Sequence, residues 1–166
     1  MTGNTVQPKI SANRKREAFE KLATGQITIA EAVGIPKKQL YSIAQRGYQM
    51  LSSGRYEEAR QIYAGLVAAD PYDSVFHCHL GAALWRLGEI DRALEEFEAA
   101  LRFNIANIDA LAGRGELLLQ RGDFTRGIED LRKAVELDQT GARPASVRAR
   151  ALLFSLCQAV IQKKGQ

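Results

Sequence analysis

Three pairs of glycines set at one interval constrain this 166-residue chain more than any other feature. Gly54, Gly88 and Gly122 lie 34 residues apart, and Gly47, Gly81 and Gly115 keep the same interval seven residues upstream. Tyr56, Ile90 and Phe124 follow two residues behind the later glycine of each pair. Apolar-periodic stretches cover 40–53, 74–87 and 108–121 around the first glycines and 56–69, 90–103 and 124–137 behind the second. Each unit therefore predicts two helices, A and B, joined by a tight turn. The later glycine ends helix A, where a left-handed residue is commonly required. The earlier one lies inside helix A, where a missing side chain lets helix B approach closely. Ala59, Ala93 and Gly127 hold the matching small position on helix B, and Pro71 ends the first unit, with Ile105 and Gln139 at its later equivalents.

A helix pair repeated every 34 residues has the tetratricopeptide (TPR) period. The predicted fold class is all-α: three tandem units at 40–73, 74–107 and 108–141, forming a helix-turn-helix superhelix over 40–139. Residues 1–10 are polar and predict disorder. Within the N-terminal segment 11–39, residues 11–23 predict an amphipathic helix with Ala12, Ala18, Phe19 and Leu22 on one face, a stripe that needs a surface to cover it. Gly25 ends that helix. Thr28, with Glu31 three residues on, predicts a capping box opening a short helix that runs to Val33 and is broken by Gly34 and Pro36. After the third unit, Gly141 and Pro144 break the chain, and 144–163 predicts a capping helix whose apolar residues, Cys157 among them, read as core.

At 46% hydrophobic and 25% charged, the chain can bury one core. No apolar run approaches the roughly 20 residues of a membrane span, and the first residues carry no hydrophobic stretch of signal-peptide type. Two cysteines, Cys78 and Cys157, make no disulfide framework and suit a reducing compartment. Charge is uneven: 40–139 holds 11 Lys+Arg against 16 Asp+Glu, a net of −5, while the flanks hold 12 against 3. Basic flanks of this kind read first as solvated termini.

In a TPR array the A helices line the concave face, and positions 2, 5, 9 and 12 of each unit point into it. Those positions hold Tyr41, Ala44, Tyr48 and Leu51, then Val75, Cys78, Ala82 and Trp85, then Asp109, Ala112, Glu116 and Leu119. A concave patch so apolar and aromatic marks a candidate peptide-binding groove. It lacks the Lys, Asn and Arg that a carboxylate clamp needs, since Ala44, Tyr48 and Asp109 stand there; an extended apolar peptide fits better. Enzyme readings fare poorly. His77, Cys78 and His79 are consecutive on a helix, where neighbours point about 100° apart, so they cannot converge on a metal. Cys78 lacks an orienting acid and oxyanion donors, and Gly113-Arg114-Gly115 lies mid-helix with no preceding strand. No catalytic residue, metal or cofactor is expected.

Two further readings attach to the N-terminal segment. Ile29 to Ile35 with Leu40 and Ile43 has the spacing of a helix-turn-helix over 28–46, to which Arg14, Lys15, Arg16, Lys37 and Lys38 would add phosphate contacts, making a DNA-associated regulator one alternative. The 34-residue register claims Leu40 and Ile43 independently. Thr28-Ile29-Ala30, Ile35 and Leu40, then Gly54-Arg55-Tyr56-Glu57-Glu58-Ala59, then Asp70-Pro71-Tyr72-Asp73-Ser74 with Phe76 and Leu80-Gly81-Ala82, together resemble the class II chaperones of bacterial type III secretion. The resemblance continues through Glu116-Leu117-Leu118-Leu119-Gln120-Arg121-Gly122 and covers roughly 25–137. It implies a non-catalytic cytoplasmic chaperone that holds apolar segments of translocator proteins in its groove before export. It also implies a homodimer formed through the N-terminal region, for which Ala12, Ala18, Phe19 and Leu22 are the candidate face. A TPR pattern alone serves many partners, so a general interaction scaffold in another bacterial assembly is the remaining alternative.

Overall fold

The computed structural model describes the backbone of residues 12–164 and the side chains of residues 16–162. Among these residues there are nine helices and no strand: α1 (Ala12–Ala23), α2 (Ile29–Ala32), α3 (Lys37–Ser52), α4 (Tyr56–Ala69), α5 (Ser74–Arg86), α6 (Ile90–Phe103), α7 (Ile108–Gln120), α8 (Phe124–Leu137) and α9 (Pro144–Lys164). The expected disorder of 1–10 and the side chain of Ala12 lie outside the described residues. All three B helices take the expected bounds. Helix A of the first unit starts earlier than the register asks, at Lys37 rather than at residue 40, where the carbonyl of the extended N-cap Pro36 accepts from the Gln39 amide at 2.8 Å.

The turns repeat one hydrogen-bonded device. At Gly54, Gly88 and Gly122, φ is +79°, +83° and +82°. The next amide reaches back across each turn, Arg55 to the Met50 carbonyl at 2.9 Å, Glu89 to Leu84 at 3.0 Å and Asp123 to Leu118 at 2.9 Å, which satisfies carbonyls the helix end leaves open. The mid-helix glycines work by proximity instead. A methyl placed on Gly81 would stand 3.1 Å from the Ala93 carbonyl, and one on Gly115 would stand 3.0 Å from the Gly127 carbonyl, so backbones of paired helices touch there.

α3 packs on α4, α5 on α6 and α7 on α8; α4 then stacks on α5 and α6 on α7, and α9 covers both α7 and α8. The seams between layers hold Tyr63, Phe76, Leu84, Phe97, Leu111, Leu117 and Leu131, all fully buried. Each such side chain contributes about 1.5–3 kcal/mol relative to exposure. Burial pushes the Tyr63 phenol pKa up, and its hydroxyl donates to the Ala44 carbonyl at 2.8 Å, tying α4 to α3.

The Asp-Pro-Tyr-Asp-Ser joint is a polar clamp between units one and two. Asp73 caps α5 by accepting from the Val75 amide at 2.9 Å. Its other oxygen accepts from Lys37 at 3.0 Å and from the Tyr41 hydroxyl at 3.0 Å. Lys37 also reaches Asp70 at 3.0 Å, and the two carboxylates hold its ammonium well above the usual lysine pKa. Ser74 donates to the Ala100 carbonyl at 2.8 Å and receives Asn107 at 2.8 Å, which links the same joint to the next one. An Asx side chain accepts at every joint, with or without proline: Asp70 from the Tyr72 amide at 3.3 Å, Asn104 from the Ala106 amide at 3.1 Å, and Asp138 from Arg143 N–H at 2.7 Å and from Ser146 at 2.6 Å.

Candidate functional site

The A helices α3, α5 and α7 form a row, with α3 touching α5 and α5 touching α7. Their shared face encloses a cavity of ≈ 410 Å³. Phe97 and Gly113 form its floor, since a methyl on Gly113 would lie 2.6 Å from the Phe97 ring. Tyr48, Leu51, Ala82 and Trp85 are its apolar walls, with Tyr48 left 52% exposed. Pro144 and Arg148 of α9 close one end. A second cavity of ≈ 210 Å³ adjoins it, lined by Val75 and Asn107, and Cys78, His79 and Asp109 border both.

Seven of the twelve expected groove positions, Tyr48, Leu51, Val75, Cys78, Ala82, Trp85 and Asp109, fall on these two adjoining cavities. Five do not. Tyr41 lies over Phe76, ring centroids 5.3 Å apart, with its hydroxyl on Asp73. Ala44 is buried at 6% exposure beneath the Tyr63 hydroxyl, and Ala112 is buried completely. Glu116 pairs with Arg148 at 3.3 Å. Leu119 packs on Gly127, where a methyl would stand 2.9 Å from it. Position 5, held by Ala44, Cys78 and Ala112, is thus buried in every unit, and of the three only Cys78 borders the cavities.

The sequence reading missed Tyr56, His79, Arg86, Phe97, Gly113, Pro144 and Arg148. Phe97 and Tyr56 belong to B helices, and Pro144 and Arg148 come from the helix expected only to cap the end. A signal for Gly113 was present, a glycine outside the repeat register. Arg86 lies over the Tyr56 ring at 5.1 Å and donates to its hydroxyl at 2.9 Å, which fixes the rim of the groove. Arg143 of the loop before α9 pairs with Asp109 at 2.9 Å. Burial pushes the Cys78 thiol well up from its ordinary pKa, so it stays protonated and serves as a small apolar floor group. His77, next to it, points away into the core, within 2.6 Å of Glu96 and 2.9 Å of the Pro71 carbonyl. Among the described residues no group of three His, Cys, Asp or Glu could hold a metal, and no helix is long and apolar enough to cross a membrane.

Outside the groove, α1 rests mainly on α2, and its apolar stripe stays open: Phe19 is 70% exposed, with Ala18 and Leu22 half-buried. Cys157 corrects the expectation of a core residue. It is exposed, because α9 outruns the array and its second half, with Phe154 at 66% exposure, has no helix to pack on among the described residues. Nor is the basic side of α9 simply solvated, since Arg148 is paired and Arg150 donates to the Gln139 carbonyl at 3.0 Å. In the 28–46 segment α2 is a single turn, Leu40 is buried, Ile43 is exposed and Lys37 is held by two carboxylates.

The family model of the bacterial transcriptional activator domain matches residues 15–110, and that of the tetratricopeptide repeat matches residues 78–153. Low calcium response locus protein H of Yersinia pestis is 33% identical over 144 residues, covering 84% of this chain and 84% of that protein. The Yersinia enterocolitica type III secretion translocator chaperone SycD, solved with a peptide of the translocator YopD, superposes with a TM-score of 0.64 at 26% identity, over 78% of this chain and 98% of that one. An alternative dimer of SycD superposes with a TM-score of 0.65 at 26% identity, over 80% and 98%.

Proposed function

Because the chain belongs to the family of low calcium response locus protein H, the type III secretion translocator chaperones, we propose that it holds an extended apolar segment of a translocator protein in the groove of α3, α5 and α7 until export. The observation that carries this reading is the pair of adjoining cavities, walled by Tyr48, Leu51, Ala82 and Trp85 and left open along the A-helix row. Two or three pockets each burying a side chain worth about 1.5–3 kcal/mol, less the cost of ordering the segment, give micromolar binding. Such a chaperone needs no catalytic group, and the protonated Cys78 fits that role. Its place of action is the cytoplasm, where translocators are made.

The test is titration of a fluorescent YopD peptide into the protein. Saturable binding at micromolar concentration supports the reading, and no binding of this peptide or of a co-expressed translocator removes it. The chaperone acts as a homodimer in which the open α1 stripe of Phe19, Ala18 and Leu22, with Ala12, meets its copy as a self-complementary patch. Light scattering should give a dimer that loosens when residues 1–24 are removed; a monomer mass at tens of micromolar, or an unchanged dimer after truncation, discards this use of α1.

The activator-domain match over 15–110 is the one observation favouring the second reading, a DNA-associated regulator. The segment 28–46 offers it little, with α2 one turn long and Lys37 neutralised by Asp70 and Asp73. Only weak, salt-sensitive, sequence-independent duplex binding is expected in a mobility assay. The tetratricopeptide scaffold of some other assembly is excluded or restored by the same YopD titration.

A further inference from the structure

We propose that His79 is the polar specificity determinant of this groove, accepting a hydrogen bond at Nε2 from an N–H of the bound segment. The inference rests on the groove reading above and deepens it. His79 Nδ1 lies 2.8 Å from the Val75 carbonyl. A carbonyl only accepts, so Nδ1 must carry the proton, and the neutral ring then has a bare lone pair at Nε2. The ring cannot turn away, because it stacks on Tyr63 at 5.0 Å and meets the edge of Tyr48 at 5.8 Å. Nε2 has no hydrogen-bond partner among the described residues, yet every buried side-chain polar atom among them has one; Nε2 is therefore not fully buried, and His79 borders both groove cavities.

The other charged groups around these cavities are committed elsewhere: Arg86 to Tyr56, Asp109 to Arg143 and Arg148 to Glu116. The Tyr48 and Ser52 hydroxyls can rotate to donate or accept. With its proton on Nδ1, the His79 imidazole offers only an acceptor at Nε2, beside both cavities. An extended segment passing from one cavity to the other crosses that place, and its backbone N–H groups recur about every 3.3 Å, on alternate sides. An apolar pocket selects side-chain size; a fixed acceptor selects register, since the wrong register sets a carbonyl or a proline nitrogen against Nε2.

The experiment uses the YopD peptide as probe and three measurements. Nitrogen NMR of the free protein should find a pyridine-like Nε2 and a protonated Nδ1 at His79; the opposite tautomer overturns the proposal. His79→Phe keeps the ring stack and His79→Asn keeps a donor to Val75, and whichever variants retain wild-type helicity by circular dichroism should bind about tenfold more weakly, as an unmet buried donor would require. Singly N-methylated peptides should contain one that loses about the same factor on wild type and nothing further on the variants. Affinity within twofold of wild type for the folded variants, or N-methyl losses equal on both, overturns the role of His79 while leaving the groove reading intact. Failure of wild type to bind removes both.

Discussion

The first two units and the third follow one register yet end in different surroundings. In units one and two, positions 9 and 12 hold Tyr48, Leu51, Ala82 and Trp85 on an open wall. In unit three the same positions hold Glu116, which pairs with Arg148, and Leu119, which is packed on Gly127. The reason for the first is α9, whose fully buried Ala145 and Ala149 let it lie close against α7 and α8 and bring Arg148 to Glu116, while Leu119 turns onto helix B of its own unit. A repeat register thus says which way a side chain points, while the element stacked outside it decides whether that direction is a groove or a seam.

The largest expected effect lies in the covered half. Arg114 donates to both oxygens of Asp130, at 2.7 and 2.9 Å, and Asp130 is buried. Asp130→Ala leaves a half-buried guanidinium without its partner, which costs about 3 kcal/mol. Urea denaturation followed by circular dichroism should show that loss. A change below about 1 kcal/mol would mean that water replaces Asp130 and that the covered half is less tightly sealed than its geometry indicates.

The open half should respond in binding rather than in folding. Tyr48→Ala and Trp85→Ala each remove part of an apolar wall, and each should weaken the YopD peptide about tenfold, from burial of about 1.5–3 kcal/mol per side chain partly offset by ordering. Tyr48→Ala should leave the urea midpoint nearly unchanged, because the ring is largely exposed. Calorimetry on the double variant checks the assignment: affinity equal to wild type would show that the guest lies elsewhere.

The bounds of the helices were legible because their causes are local. A glycine at positive φ, a capping threonine and a backbone contact at Gly81 or Gly115 depend on residues within one unit, and the interval of 34 repeats them. The groove was legible only in part. Ala44 and Ala112 stand at inward positions but are covered by neighbouring helices, Ala44 beneath the Tyr63 hydroxyl, so they joined the core instead of the groove. Glu116 and Asp109 met arginines from a segment whose path no periodicity encodes. Phe97 entered the groove from a B helix because Gly113, off the repeat register, left room for its ring. Cys157 misled because an apolar helical pattern does not say where the array beneath it ends.

A smaller, pH-linked effect belongs to unit two. Burial alone would lower the pKa of His77, but the Glu96 carboxylate at 2.6 Å and the Pro71 carbonyl at 2.9 Å outweigh it and raise it from its ordinary value. A group whose pKa is higher in the folded state stabilises while protonated. Its contribution is full below the unfolded value of about 6.5 and fades as pH rises through the folded one. The melting temperature of wild type should therefore exceed that of His77→Gln most near pH 6, with the gap narrowing toward pH 8.5. A gap that widens with pH would mean the ring is neutral in the native protein.

The smallest expected effect tests what holds α9 over unit three. Two ion pairs join it and its preceding loop to α7, Arg143 to Asp109 at 2.9 Å and Arg148 to Glu116 at 3.3 Å, and both arginines are more than half exposed. Exposed pairs of this kind contribute about 0.2–1 kcal/mol. By contrast Ala145 and Ala149 are fully buried, Leu152 and Leu153 pack against the core, and Asp138 accepts four hydrogen bonds at the start of the helix, from Thr140, Ala142, Arg143 and Ser146. If packing and that cap hold α9, the double variant Arg143→Ala, Arg148→Ala should shift the urea midpoint by less than about 1 kcal/mol equivalent and leave helix content unchanged. Ala149→Leu, forced into a filled seam, should cost more, about 1–3 kcal/mol. The reverse ranking would make the cover electrostatic, and the two halves of the groove would then differ by a latch that salt can open.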